Sequence, residues 1–309
     1  MTQNDTNTIS TYAENALLTR LSKSEWTGKK KASEIDTQIA AENNAQKGRA
    51  TKTDKILVAK DEPLWRAVKS AGRAVHTEWE RWSCPWQDGG TRMIASSRFM
   101  EFSKRLEDAI SKFDAAVSAF LNDYLDMIPR QAKRLGNLFD ERDYPSLDEM
   151  RQKFAVSVDY QPVPTADDFR CQLADDQLEA VRQSTQRMVE ASLARAAKDP
   201  IKRLHKALST MVKTLAQTDK IFRDSLITNV RELAGMIPAL NIANDPKLDE
   251  LTDEIQQELA TIDPSELRDP AWKQGGHAAF ERSQAAQAKR CEAKTKAEGI
   301  LSKLDDLLL

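Results

Sequence analysis

His76, His205 and His277 are the side chains best suited to proton transfer or zinc ligation. They stand more than 70 residues apart, with no HxxxH or HExxH spacing. Cys84 precedes Pro85 and sits near Trp82 and Trp86. A nucleophilic thiol needs a base and an anion hole, and its neighbours supply neither, so a packed thiol is expected. Thr27-Gly28-Lys29 ends like a phosphate-binding loop, but the upstream glycine of GxxxxGK[ST] is missing and no strand pattern precedes it. The pairs Asp167-Asp168, Asp175-Asp176 and Asp305-Asp306 are adjacent residues that point apart on a helix. They suit helix dipoles better than a shared metal ion. We expect no catalytic residue, no metal ligand and no cofactor.

Charge is more informative than chemistry. The 309 residues carry 46 Lys and Arg against 48 Asp and Glu, a formal net charge of −2. That near-balance hides an asymmetry. From Arg182 to Arg223 ten basic residues face three acidic ones, net +7, densest at Lys198, Lys202, Arg203, His205 and Lys206. From Asn241 to Pro270 nine acidic residues face two basic ones, net −7. Two readings follow. The basic stretch binds nucleic-acid phosphates, or the two stretches face each other as antiparallel helices or across subunits. The matched magnitudes and an isoelectric point near 6.1 favour mutual pairing.

The elements that must position these groups read as helices. Gly at 10 and Pro at 11 are too few for an all-β chain of tight turns. Ile9 to Leu21 carries a short helical pattern, and residues 41–55 read as a polar loop. Leu64, Trp65, Val68, Ala71, Val75, Trp79 and Trp82 form a helical stripe opened by Glu62-Pro63. Residues 83–95 break it at Pro85 and Gly89-Gly90, and Trp86 in that break is either a binding anchor or a packed side chain. Phe99, Leu106, Phe113, Phe120 and Met127 then recur every seven residues. They predict a long helix, ended or kinked at Pro129, packed antiparallel on helices of the 175–235 region. Phe154, Val156, Val158 and Tyr160 alternate as a strand does, and with Phe169–Leu173 they predict a β-hairpin. Beyond Ala174 the chain reads helical, with helix starts placed after Asp199, Asp245 and Asp263 or Asp269, each followed by proline. The last helix ends in Leu301, Leu304 and Leu308 on one face. Those leucines either dock on a partner or fold back on their own domain.

The expected fold class is mainly α, with long antiparallel helices in coiled-coil-like packing and a small β-hairpin insertion. Three segments follow: 1–60, an N-terminal helix and flexible basic loop; 61–240, a helical core with the hairpin around 154–173; and 241–309, the acidic stretch and C-terminal helix. Three cysteines give no disulfide framework, no signal peptide opens the chain, and no run of about 18 apolar residues spans a membrane, so a cytoplasmic protein is expected.

Three segments together resemble the DUF3150 family of bacteriophages and prophages. They are Leu21-Ser22-Lys23-Ser24-Glu25-Trp26-Thr27-Gly28-Lys29-Lys30, then Pro85-Trp86-Gln87-Asp88-Gly89-Gly90-Thr91-Arg92, then Pro162-Val163-Pro164 with Asp168-Phe169-Arg170. The match spans roughly residues 12–240. The family brings no catalytic residues. Its genes often lie beside those of a MoxR-type AAA+ ATPase and a von Willebrand factor A domain protein. The resemblance therefore implies a non-enzymatic adaptor, an auxiliary component of an ATPase-driven remodelling system in the bacterial host. The alternative is a nucleic-acid-associated phage protein of replication, recombination or counter-defence. Candidate interaction residues are Trp26, Trp86, Asp88, Arg92, Lys202, Arg203, Lys206, Leu301, Leu304 and Leu308. The expected partner is that ATPase and its companion, or a second copy of the chain, with no membrane involved.

Overall fold

In the computed structural model the described residues are 15–46, 49, 51–87, 90–165, 175–217, 224–267 and 277–308. In chain order the elements are β1 (Ala16–Ser24), β2 (Lys29–Lys31), α1 (Ser33–Glu42), β3 (Asp54–Ile56), α2 (Pro63–Arg81), β4 (Cys84–Pro85), β5 (Thr91–Ala95), α3 (Phe99–Leu135), α4 (Leu147–Arg151), β6 (Ala155–Pro162), α5 (Asp175–Leu215), α6 (Ser225–Leu240), α7 (Pro246–Glu258) and α8 (His277–Leu308). The protein is mostly helical, with a small antiparallel sheet.

Several expectations give way to the structure. Residues 16–21, read as part of a helix, lie in β1, which pairs antiparallel with β5 from Ala16↔Ala95 to Arg20↔Thr91. Ala16 and Leu18 bury on one side of the strand, so cross-strand packing overrides the local helical pattern. The break at 83–95 holds two strands, since β4 pairs with β5, and Gly90 takes the left-handed φ of +81° that closes the turn. Strand β6 forms where alternation predicts it, but its neighbour in the sheet order β4-β5-β1-β6 is β1. The other half of the predicted hairpin, Phe169–Leu173, lies outside the described residues.

Prolines interrupt less than the sequence predicts. α3 continues through Pro129 to Leu135, because the turns after the proline are tied down from outside the helix. Gln131 accepts from the Ala59 amide at 3.1 Å and donates to Glu62 at 2.9 Å, and Arg134 donates to Asp61 at 2.5 Å. α5 likewise runs through Pro200, so no helix starts after Asp199. Leu193 and Ala196 before the proline and Leu204 and Leu208 after it enter one core, and that continuous stripe offsets the roughly 3 kcal/mol cost of the proline. In α6, Pro238 leaves the carbonyl of Ala234 without its helical donor, and Gln256 Nε2 of α7 donates to it at 3.4 Å. The start after Asp245 is as expected: its side chain accepts from Lys247 N as the N-cap of α7.

The chain forms two compact units, which do not follow the expected division at 60 and 240. The first comprises residues up to Arg20, Glu80–Met100 and Tyr160 onward. The second comprises Leu21–Trp79 and Glu101–Asp159. In the first, α5, α6, α7 and α8 enclose a core with Trp86, Cys84 and Met93 from the β4–β5 region. Lys198 Nζ donates to the Leu308 carbonyl at 3.2 Å and His205 Nε2 lies 3.0 Å from Asp305, so α5 and α8 run antiparallel. In the second, Phe113, Phe120, Tyr124 and Met127 of α3 are buried. Phe120 meets Trp65 of α2 at 5.3 Å and Phe154 at 6.1 Å between ring centroids. From Glu101 onward α3 thus belongs to a different unit from the 175–235 helices, and its stripe finds aromatic partners within its own unit.

Candidate functional site

Two arginines proposed for interaction converge on the end of α2. Its last carbonyls carry the negative end of the helix dipole and have no intrahelical donor. Arg92 donates to Ser83 Oγ at 2.7 Å, to the Ser83 carbonyl at 2.6 Å and to the Glu80 carbonyl at 3.0 Å. Arg203 donates to the carbonyls of Arg81 at 2.9 Å, Glu80 at 3.1 Å and Ser83 at 2.8 Å. Its Nη2 also lies 2.7 Å from Asp199 Oδ2, an ion pair whose N–H groups are aimed at the carbonyls instead. Burial, and then the charge of Arg203, holds the Arg92 guanidinium below its usual range. Both guanidinium groups are thus engaged by the end of α2. The adjacent Cys84 thiol is buried and pushed up to about 12, chiefly by burial and secondarily by Asp199, so at neutral pH it is a packed thiol.

The aromatic candidates are also part of the fold. Trp86 is 2% exposed in the core of the first unit. Trp26 is buried in the second unit, 5.6 Å from Trp65 and 6.1 Å from Tyr124 between centroids. Asp88 lies outside the described residues. A strand, β1, does precede Thr27-Gly28-Lys29, contrary to expectation, while the upstream glycine of GxxxxGK[ST] is still missing. Gly28 takes φ +66°, and a Cβ there would sit 3.0 Å from the Trp65 ring. Nearby, Asp143, 8% exposed as a residue, receives Lys30 at 2.5 Å and Lys55 at 2.6 Å. Burial would raise its carboxyl, but those two hydrogen bonds outweigh it and hold it below the usual carboxylate range. The charged pair anchors β2 and β3. Tyr144, whose hydroxyl donates to the Leu57 carbonyl, is pushed up to about 12 by burial.

The C-terminal leucines fold back. Leu304 is fully buried, and Leu301 and Leu308 are half-buried against the core of the first unit. Within the chain, both the basic and the acidic stretch pair with α8. His205 meets Asp305, while Glu254 pairs with Lys303 at 2.6 Å and Glu266 with Lys289. Of the predicted interaction residues that are described, Lys202 and Lys206 are exposed.

A feature the sequence reading missed is an open groove of about 610 Å³ in the second unit. Its floor is Ala67, Ala71 and Ala74 of α2 with Ala109 and Ala116 of α3. Glu78, Arg105, Asp108 and Lys112 stand among its lining residues. The signal in the sequence is small residues at helical spacing on both helices. Among the described residues no group of three or more His, Cys, Asp or Glu side chains is placed to hold a metal ion. Among them, no helix is long and apolar enough to cross a membrane. Comparison with protein-family models, curated proteins and solved structures finds no match to this chain, so the resemblance to the DUF3150 family stands on its three segments alone.

Proposed function

We propose that this chain is a non-enzymatic helical interaction protein, an adaptor of a phage-encoded assembly in the host cytoplasm. In this reading its long helices pack in the seven-residue manner of coiled coils. The groove between α2 and α3 carries the proposal. Its alanine floor lets the backbone of an incoming helix approach closely. Asp108 offers a partner to basic residues of that helix, and Lys112 offers one to acidic residues. Both signs beside one apolar floor fix the register of an amphipathic helix with apolar anchors at i, i+3 or i+4, and i+7. The family resemblance supports a MoxR-type AAA+ ATPase or its von Willebrand factor A domain companion as the protein that supplies it.

Capture of those two purified proteins by the full chain tests the reading. Ala74→Trp should fill the groove and abolish capture with little change in thermal stability. Undiminished capture by that variant removes the groove from the interface. A second reading, nucleic-acid association, is favoured by the exposed lysines of α5.

A further inference from the structure

We infer that the solvent face of α5 is a sequence-independent binding ridge for the phosphate backbone of a nucleic-acid duplex; this rests on the nucleic-acid reading and is independent of the adaptor one. Arg195, Lys198, Lys202, Lys206 and Lys213 are all exposed. Their spacings of three, four, four and seven place them in one sector of roughly 80° over roughly 27 Å of helix. The opposite side of the same helix carries Leu193, Ala196, Leu204, Leu208, Met211 and Leu215, all buried, so the basic sector faces away from the core.

The ridge keeps its charge. Between Ala191 and Leu215 the sequence holds one acidic residue, Asp199, and it is engaged by Arg203. Lys198 donates to a backbone carbonyl, which leaves its charge uncancelled. The side chains of Lys202, Lys206 and Lys213 are exposed. On the flank, Asp305 pairs with His205. The acidic helix α7 sends its Glu254 to α8, away from this ridge.

The side chains between the charges select the ligand. Ser209, with Ala191 one turn before Arg195, occupies the rest of the sector, so it holds no aromatic or large apolar anchor. Protein interfaces are depleted of lysine and centre on such anchors. Single-strand binding relies on aromatic stacking platforms. A membrane surface would require the apolar face of the helix, which is buried here. Evenly spaced ammonium groups without anchors fit phosphate oxygens, which fix position and carry no sequence information.

The test is fluorescence anisotropy of the full chain with a labelled 30-base-pair DNA duplex, titrated from 50 to 200 mM salt. Matched arms use duplex RNA, single-stranded DNA and polyglutamate. Four phosphate contacts give a slope of log affinity against log salt of about −4, a loss on the order of a hundredfold over that range. Lys202→Ala with Lys206→Ala should flatten the slope by about 2, at unchanged thermal stability. Arg151→Ala with Lys153→Ala, two exposed cations of the other unit, should change nothing. Tighter binding to the single strand sinks the duplex assignment and leaves the nucleic-acid reading standing. Absence of binding to any nucleic acid at 50 mM salt, or equal binding to polyglutamate, overturns both. A slope untouched by the lysine pair moves the site off α5.

Discussion

Replacing Arg203 by leucine should destabilise the first unit by about 2–4 kcal/mol. Leucine is as good a helix former as arginine, so propensity does not confuse the result. Two groups lose the partner described for them, the Arg81 carbonyl at 2.9 Å and the Asp199 carboxylate at 2.7 Å. Each orphaned buried polar group costs about 1–3 kcal/mol. The Asp199 side chain is 21% exposed, so water recovers part of its share. The carbonyls of Glu80 and Ser83 keep Arg92 as donor. That overlap makes the two arginines redundant toward those oxygens, and the double variant with Arg92→Leu should cost more than the sum of the singles. Relief of the repulsion between the two guanidinium groups is gained in each single variant but only once in the double, so it adds to this coupling, which should reach about 1–3 kcal/mol. Urea unfolding followed by circular dichroism, with the full double-mutant cycle, measures both quantities. An Arg203→Leu variant that unfolds like the parent while losing a ligand would refute the capping argument and return Arg203 to an interaction surface.

Four further outcomes are expected. Gly28→Ala should lose about 1–3 kcal/mol in urea unfolding, because alanine at φ +66° is strained and its Cβ meets the rigid Trp65 ring. Leu304→Ala should cost about 2–5 kcal/mol at unchanged mass by light scattering, since the leucine is fully buried in its own unit; a fall in mass would show that the tail joins subunits. Asp143 has a depressed carboxyl, so its stabilisation is present above the unfolded carboxylate value of about 3.9 and is lost as pH falls through the lower folded value. The gap in urea midpoint between the parent and Asp143→Asn should therefore be full at pH 6 and close toward the acid limit. Gln256→Leu should cost about 1 kcal/mol in the same assay, by leaving the Ala234 carbonyl unpartnered beside Pro238.

Periodicity made the helices legible. The stripes bury Trp65, Val68, Val75 and Trp79 of α2 and Leu106, Phe113, Phe120 and Met127 of α3, while Leu64, Ala71, Trp82 and Phe99 stay half-buried, and α8 ends close to where its leucines predict. Elements that depend on distant partners were not legible. β1 looks helical until β5 pairs with it, and β4 is two residues long. Proline was over-read because the donors and packing that compensate for it, such as Gln256 for Pro238, come from other elements. Trp26, Trp86, Arg92 and Arg203 were candidates by residue type, and all four have partners inside the fold, Trp86 in the packed role its position also allowed. Residue type marks the capacity to bind, but burial and backbone partners decide whether that capacity is spent inside the fold. Lys202 and Lys206 kept theirs because the helical period turns them away from the core.

The interleaving of the two units constrains how this chain can be made and cut. It passes between them at residues 20, 79, 100 and 159, so neither unit is one continuous stretch. During synthesis, residues 21–159 emerge with everything the second unit needs, whereas the strands β1, β4 and β5 must wait for α5 to α8. The residues of the second unit are therefore complete on the ribosome before those of the first, whose distant contacts must close later. A protease nick near residue 90 would leave both units assembled from two fragments, whereas removal of residues beyond 160 would strip the first unit of its core and leave the second one entire.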